Sequence, residues 1–146
     1  ASVYEGNGPG ASDHSNDVVS RPLFAAWAQA ELFLSVHTNA YNGSQSGTET
    51  YSYNGGSTPG SEFLRHLVNT RVIGDIRAGW DSRWKDRGEK AANFGEVREA
   101  RGMPAALVEN RKASSASARP GVYFSITTGE RSSQSFWSKC AAASVQ

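Results

Sequence analysis

Two residues combine an ionisable side chain with a place at the end of a short apolar run. Leu32-Phe33-Leu34-Ser35-Val36 leads into His37, and Met103-Pro104-Ala105-Ala106-Leu107-Val108 leads into Glu109. Each run reads as a strand buried on both faces. A side chain at the last position of such a strand is held on a rigid element while it reaches the sheet edge, where open parallel sheets bind ligands. A neutral imidazole is a common zinc ligand, and an apolar-flanked carboxylate is a candidate general base with a raised pKa. Together they point to metal-assisted hydrolysis, in which the metal acidifies a water and Glu109 passes its proton to the leaving group. The structural alternative is a hydrogen-bonded histidine at a strand end and a glutamate paired with a nearby arginine.

The elements between the two runs decide whether the side chains meet. A helix separating two buried strands implies a parallel arrangement by right-handed crossover, which brings both ends to one rim. Neighbouring strands lie about 4.8 Å apart, so the two groups can share a site even one strand removed. Asn42-Gly43 is a turn signal after the first strand. Thr48 to Tyr53 alternates as a strand and stops at Asn54-Gly55-Gly56. A helix beginning at Thr58-Pro59 or Ser61 and running to about Ile76 carries Leu64, Leu67, Val68, Val72, Ile73 and Ile76 at helical spacing. His66 falls on its polar face, beside Glu62, Arg65 and Asn69, as a solvated histidine.

Before the first strand, Ser20 as N-cap and Pro22 in the first turn predict a helix to about Glu31, with Leu23, Phe24, Trp27 and Ala28 on one face. Residues Ala1 to Val19 read as a long loop or insertion. Arg77 to Lys90 is charged, with two tryptophans, and reads as a surface loop or short helix. Asn93 to Arg98 reads as a short strand. After Asn110 the chain is rich in Ser and Ala, and Arg111, Lys112, Arg119, Arg131 and Lys139 face the single acid Glu130. Val122 to Ile126 is a strand candidate there, and no other period is visible.

A length of 146 residues bounds the chain to one domain with a single core. A formal net charge of +1, with no Lys/Arg run, argues against a nucleic-acid surface. The single cysteine, Cys140, excludes an internal disulfide and a Cys-rich zinc site. There is no apolar run of membrane-spanning length, and the first residues do not form a signal peptide. With 15 glycines and a mean hydropathy of -0.53, the composition is that of a soluble, loop-rich protein.

Five short motifs recur in order: Ser35-Val36-His37-Thr38-Asn39-Ala40, Gly47-Thr48-Glu49-Thr50, Arg87-Gly88-Glu89-Lys90-Ala91-Ala92-Asn93-Phe94, Val97-Arg98-Glu99, and Met103 to Glu109. The series resembles the zinc-dependent N-acetylmuramoyl-L-alanine amidases of the bacterial cell envelope, over about Ser20 to Asn110. The resemblance implies an α/β, phosphorylase/hydrolase-like fold with a mixed, mostly parallel sheet flanked by helices. It implies cleavage of the amide between N-acetylmuramic acid and L-alanine in peptidoglycan, by a monomer of the periplasm or cell exterior with no nucleic-acid or membrane partner. On this resemblance His37 is a Zn2+ ligand and Glu109 the catalytic carboxylate, while Glu49 and Arg98 match rim or supporting positions.

The family's Gly-His-Gly-Gly zinc motif and the liganding glutamate on the helix after it are not found. Gly6-Asn7-Gly8-Pro9-Gly10 has asparagine where the ligand belongs. His14, near Asp13 and Asp17, is a poor substitute, because it reads as part of a loop. A catalytic zinc takes three protein ligands and an open position, and the motifs supply one. The expected organisation is a loop or insertion over 1–19, a partial amidase domain over 20–110 and an atypical tail over 111–146, as a fragment of a longer amidase. The competing readings are a metal-free peptidoglycan-binding or regulatory module, and an α/β domain in which His37 and Glu109 are structural.

Overall fold

The computed structural model describes residues 10–38, 46–111 and 124–126. Its elements in chain order are α1 (Asp13–Trp27), β1 (Phe33–Thr38), β2 (Gly47–Tyr53), α2 (Ser61–Gly79), β3 (Asp86–Ala92), α3 (Gly95–Arg98), β4 (Ala105–Arg111) and β5 (Phe124–Ile126). The strands form one mixed sheet in the order β3-β2-β4-β1-β5. The two apolar runs are direct neighbours: β1 and β4 pair in parallel, Phe33 opposite Ala105 and His37 opposite Glu109. β2 is antiparallel to β4 and parallel to β3, and β5 is antiparallel to β1. β4 is therefore the central strand, and its residues Ala105 to Val108 are all buried.

Side-chain alternation sorts the sheet into two faces. On one face Phe33, Tyr51, Ala105 and Leu107 pack with Ala25 of α1, Val97 of α3, and Ala100 and Met103 beyond it. The other face meets α2, where Thr50 Oγ1–H donates to Asn69 Oδ1 (2.9 Å) and Arg65 donates to Ser52 Oγ (2.7 Å). Ser61, at the start of α2, accepts from the Ala105 backbone N–H (3.0 Å) and ties helix to central strand. No helix among the described residues is long and apolar enough to cross a membrane.

Several local expectations change. The first helix starts at Asp13, not Ser20, capped by Ser12, whose hydroxyl accepts from the Ser15 N–H (3.2 Å). The polar segment Asp13 to Asp17 hides this start from a search for apolar spacing. Residues 13–19 are thus helical, and Pro22 lies inside the helix. The buried positions are Asn16, Val19, Pro22 and Ala25, so Phe24 and Trp27 point outward, 51% and 71% exposed.

The helix expected from Thr58 or Ser61 runs to Gly79 and buries the polar Asn69, while Leu67 is exposed. The stretch expected as loop before Lys90 instead contributes β3, an edge strand whose charged side chains suit the sheet margin. Asn93 to Arg98 turns into the short helix α3 rather than a strand. Gly95 opens α3 where α1 comes closest: a Cβ there would stand 2.8 Å from Val18 Cγ1. Phe124–Ile126 is a strand, within the Val122 to Ile126 candidate. The Asn42-Gly43 turn, Cys140 and the tail other than Arg111 and 124–126 lie outside the described residues.

Candidate active site

Register builds a lateral row of three ionisable groups. His37 pairs with Glu109 across β1 and β4, and Glu109 pairs with Glu49 across β4 and β2. Directly opposed residues share a sheet face, so the three side chains stand side by side on the face that carries α1 and α3. All three are buried. His37 Nδ1 lies 3.6 Å from Glu109 Oε1, which brings together the two residues singled out at the strand ends.

The other imidazole nitrogen meets a residue that sequence reasoning missed. His37 Nε2 is 3.1 Å from Glu96 Oε1 and 3.1 Å from Ser35 Oγ. Glu96 comes from α3, is itself buried, and is delivered over the sheet because that segment coils instead of extending. Burial pushes the Glu96 carboxyl up, but hydrogen bonds from His37 and its own backbone N–H, with the Arg21 charge, hold it below the usual carboxylate range. The signal for it in the sequence was an acid between Gly95 and the apolar Val97.

Glu49 anchors the opposite end of the row. It is 1% exposed and collects three cations. Arg87 Nε–H donates to its Oε2 (3.4 Å), Lys90 Nζ donates to the same oxygen, and Arg111 lies 2.8 Å from Oε1. Burial raises the Glu49 pKa, but the Lys90 hydrogen bond and the charges of Arg111, Lys90 and Arg87 bring it below the ordinary value. Beside it, burial and the Glu49 charge push the Tyr51 hydroxyl up to about 12. Arg111 also reaches towards the centre of the row, its Nε 3.9 Å from Glu109 Oε2.

Arg98 is placed differently. Its guanidinium donates to Glu99 (2.7 Å) and Asn93 (3.1 Å). It lines a cavity of about 350 Å³ together with His14, Ser15, Val18 and Gly95, between α1 and α3. His14 thus sits on a helix rather than in a loop, and Asp17 pairs with Arg21.

The donor set of the row is short of what a zinc centre takes. Among the described residues, no group of three His, Cys, Asp or Glu side chains is placed to hold a metal ion. Both ring nitrogens of His37 already face carboxylates. The described residues do not fit a complete three-ligand zinc centre.

The family model described as N-acetylmuramoyl-L-alanine amidase matches residues 10–117. The chain belongs to this family. It is 34% identical to the N-acetylmuramoyl-L-alanine amidase CwlM of Bacillus licheniformis over 99 residues, which are 68% of this chain and 35% of that protein. It is 38% identical to an endolysin of Bacillus phage SPP1 over 99 residues, again 68% of this chain and 35% of the relative. Among solved structures, the N-acetylmuramoyl-L-alanine amidase from Clostridium difficile 630 superposes with a TM-score of 0.50 at 30% identity, covering 60% of this chain and 44% of that one. This amidase-family chain therefore spans about a third of the length of these two curated relatives. The mixed sheet flanked by helices agrees with the fold that the sequence motifs imply.

Proposed function

We propose that this chain carries part of the working site of a peptidoglycan amidase that hydrolyses the bond between N-acetylmuramic acid and L-alanine. The observation that carries the reading is the pairing of His37 with Glu109 at the ends of adjacent parallel strands, in a chain of the amidase family. Glu109 is the general base. It takes a proton from the attacking water as the new C–O bond forms, and it returns that proton to the L-alanine nitrogen as the C–N bond breaks. His37 and Arg111 flank the carboxylate and fix its direction. Glu49 and its cations form the rim beside it, and Arg98 supports α3, the helix that delivers Glu96.

Zinc dependence belongs to the same proposal, with His37 as one ligand by resemblance. Action in the cell envelope or outside the cell follows from the substrate and from relatives named as amidases and an endolysin. The deciding experiment incubates the purified chain, with and without added Zn2+, with peptidoglycan and measures released peptide and bound zinc together. Zinc-dependent release that disappears in Glu109→Gln supports the reading. A second reading is a peptidoglycan-binding module without catalysis, in which His37 is held between Glu96 and Glu109 as a structural group. Binding to peptidoglycan with no bound zinc and no release at any zinc concentration selects that second reading.

A further inference from the structure

Charge along the His37–Glu109–Glu49 row is polarised. At the β1–β4 end two carboxylates, Glu96 and Glu109, flank one imidazole. At the β2–β3 end three cations, Arg87, Lys90 and Arg111, surround one carboxylate, Glu49. Glu49 has two oxygens, and both are taken. Arg87, Lys90 and Arg111 nevertheless keep 21%, 41% and 19% of their side-chain surface exposed. Arg111 Nε is buried and has no hydrogen-bond partner among the described residues. A guanidinium carries five N–H donors and an ammonium three, more than one carboxylate can accept.

We propose that this cationic rim binds a carboxylate of the substrate peptide, on the L-alanine side of the scissile amide, so that the peptide runs from β4 across β2 towards β3. The proposal rests on the amidase reading above. Strand spacing sets the distance. β3 lies two strands from β4, about 10 Å away at roughly 4.8 Å per step. An extended peptide advances about 3.3–3.6 Å per residue. With the amide over Glu109, an acid on the second or third residue of the peptide therefore reaches Arg87 and Lys90. Charge-assisted hydrogen bonds there are stronger than neutral ones. The reverse orientation carries the same acid over β1 towards Glu96, away from the three cations. The rim thus selects both an acidic peptide and its direction across the sheet.

The test compares two soluble probes on the full chain: an N-acetylmuramoyl-tripeptide with free carboxylates and the same molecule with those groups amidated. The native chain binds the acidic probe about tenfold more tightly, a difference of about 1.4 kcal/mol. Lys90→Gln narrows the ratio to within about threefold by weakening the acidic probe alone, and Lys90→Arg, which keeps the charge, restores it. Lys90 is the most exposed of the three cations, and thermal melts of the variants verify that they fold. Equal binding of both probes by the native chain overturns the inference, as does an unchanged ratio in Lys90→Gln or no binding of either probe. Hydrolysis of both probes with equal affinity removes the rim and leaves the amidase reading standing. Discrimination in a chain that never releases peptide keeps the rim and removes the amidase reading.

Discussion

Glu109 stands beside His37 as its register partner on a parallel strand, carboxylate to imidazole at 3.6 Å, in the middle of a buried row. A general base in that position contributes typically 10²–10⁴-fold to a rate. Glu109→Gln keeps shape and removes basicity, so release of peptide from peptidoglycan should fall by about that factor while the thermal midpoint moves little. Activity within tenfold of the native chain would assign the proton transfer elsewhere. Zinc content measured on the same variant adds a second readout: loss of metal together with activity would make Glu109 a ligand instead of a base.

Glu96 holds the far side of the same imidazole. In Glu96→Ala, His37 Nε2 loses its buried carboxylate and keeps the Ser35 hydroxyl, so the loss is at most that of an unsatisfied buried group, about 1–3 kcal/mol. Urea titration should show that loss, and the ring nitrogen resonances of His37 should shift. Glu96→Gln, which retains an acceptor, should lie between native and alanine. Unmoved histidine resonances in both variants would mean that Glu96 does not orient the ring.

Removing Glu49 tests the cation cluster. Glu49→Ala leaves Arg87, Lys90 and Arg111 facing one another without their shared carboxylate. Breaking a buried ion pair by deleting one partner costs about 3–5 kcal/mol. The denaturant midpoint should fall accordingly, with β2 and β3 losing amide protection first. A change below about 1 kcal/mol would show that the cations find other partners.

On the other face of the sheet, Glu89 accepts from Arg65 (3.2 Å) and lies 2.7 Å from His66 Nδ1. The His66 hydrogen bond, opposed by partial burial and aided by Arg65, holds the Glu89 carboxyl below its ordinary value. Its stabilisation is therefore complete above the ordinary carboxylate range and is lost as pH falls towards the depressed value. Native chain and Glu89→Gln should differ by about 0.2–1 kcal/mol at neutral pH, and the difference should vanish in acid. A difference that grows as pH falls would reverse the assigned sign. The histidine expected to be solvated is indeed exposed, 66% by side chain, and still contributes to this cluster.

The strand-end pair was legible because its signals are local: an apolar run ending in one ionisable residue places that residue at a sheet edge. Their adjacency followed from parallel pairing, and the structure makes them immediate neighbours rather than groups one strand apart. Glu96 was not legible, since its position depends on α3 coiling where Phe94 and Val97 suggest extension. Arg111 was assigned to the tail, yet it closes β4 and reaches both Glu49 and Glu109. The start of α1 was missed because its first turn is stabilised by a cap and polar side chains, which leave no apolar period to detect. Arg98, matched by motif, lines the α1–α3 cavity.

The central strand β4 enters between two strands that follow one another much earlier in the chain, β1 in parallel and β2 in the reverse direction. Neither pairing can nucleate locally, and long-range pairings of this kind form slowly because loop closure must precede them. The row His37–Glu109–Glu49 exists only when β4 lies in register between β1 and β2. A one-residue slip of β4 would send Glu109 to the α2 face and bring Val108 or Asn110 into its place. Recovery of hydrolysis after dilution from urea would accordingly report the register of a single strand, and misregistered chains would count as folded by their helices and silent in the assay.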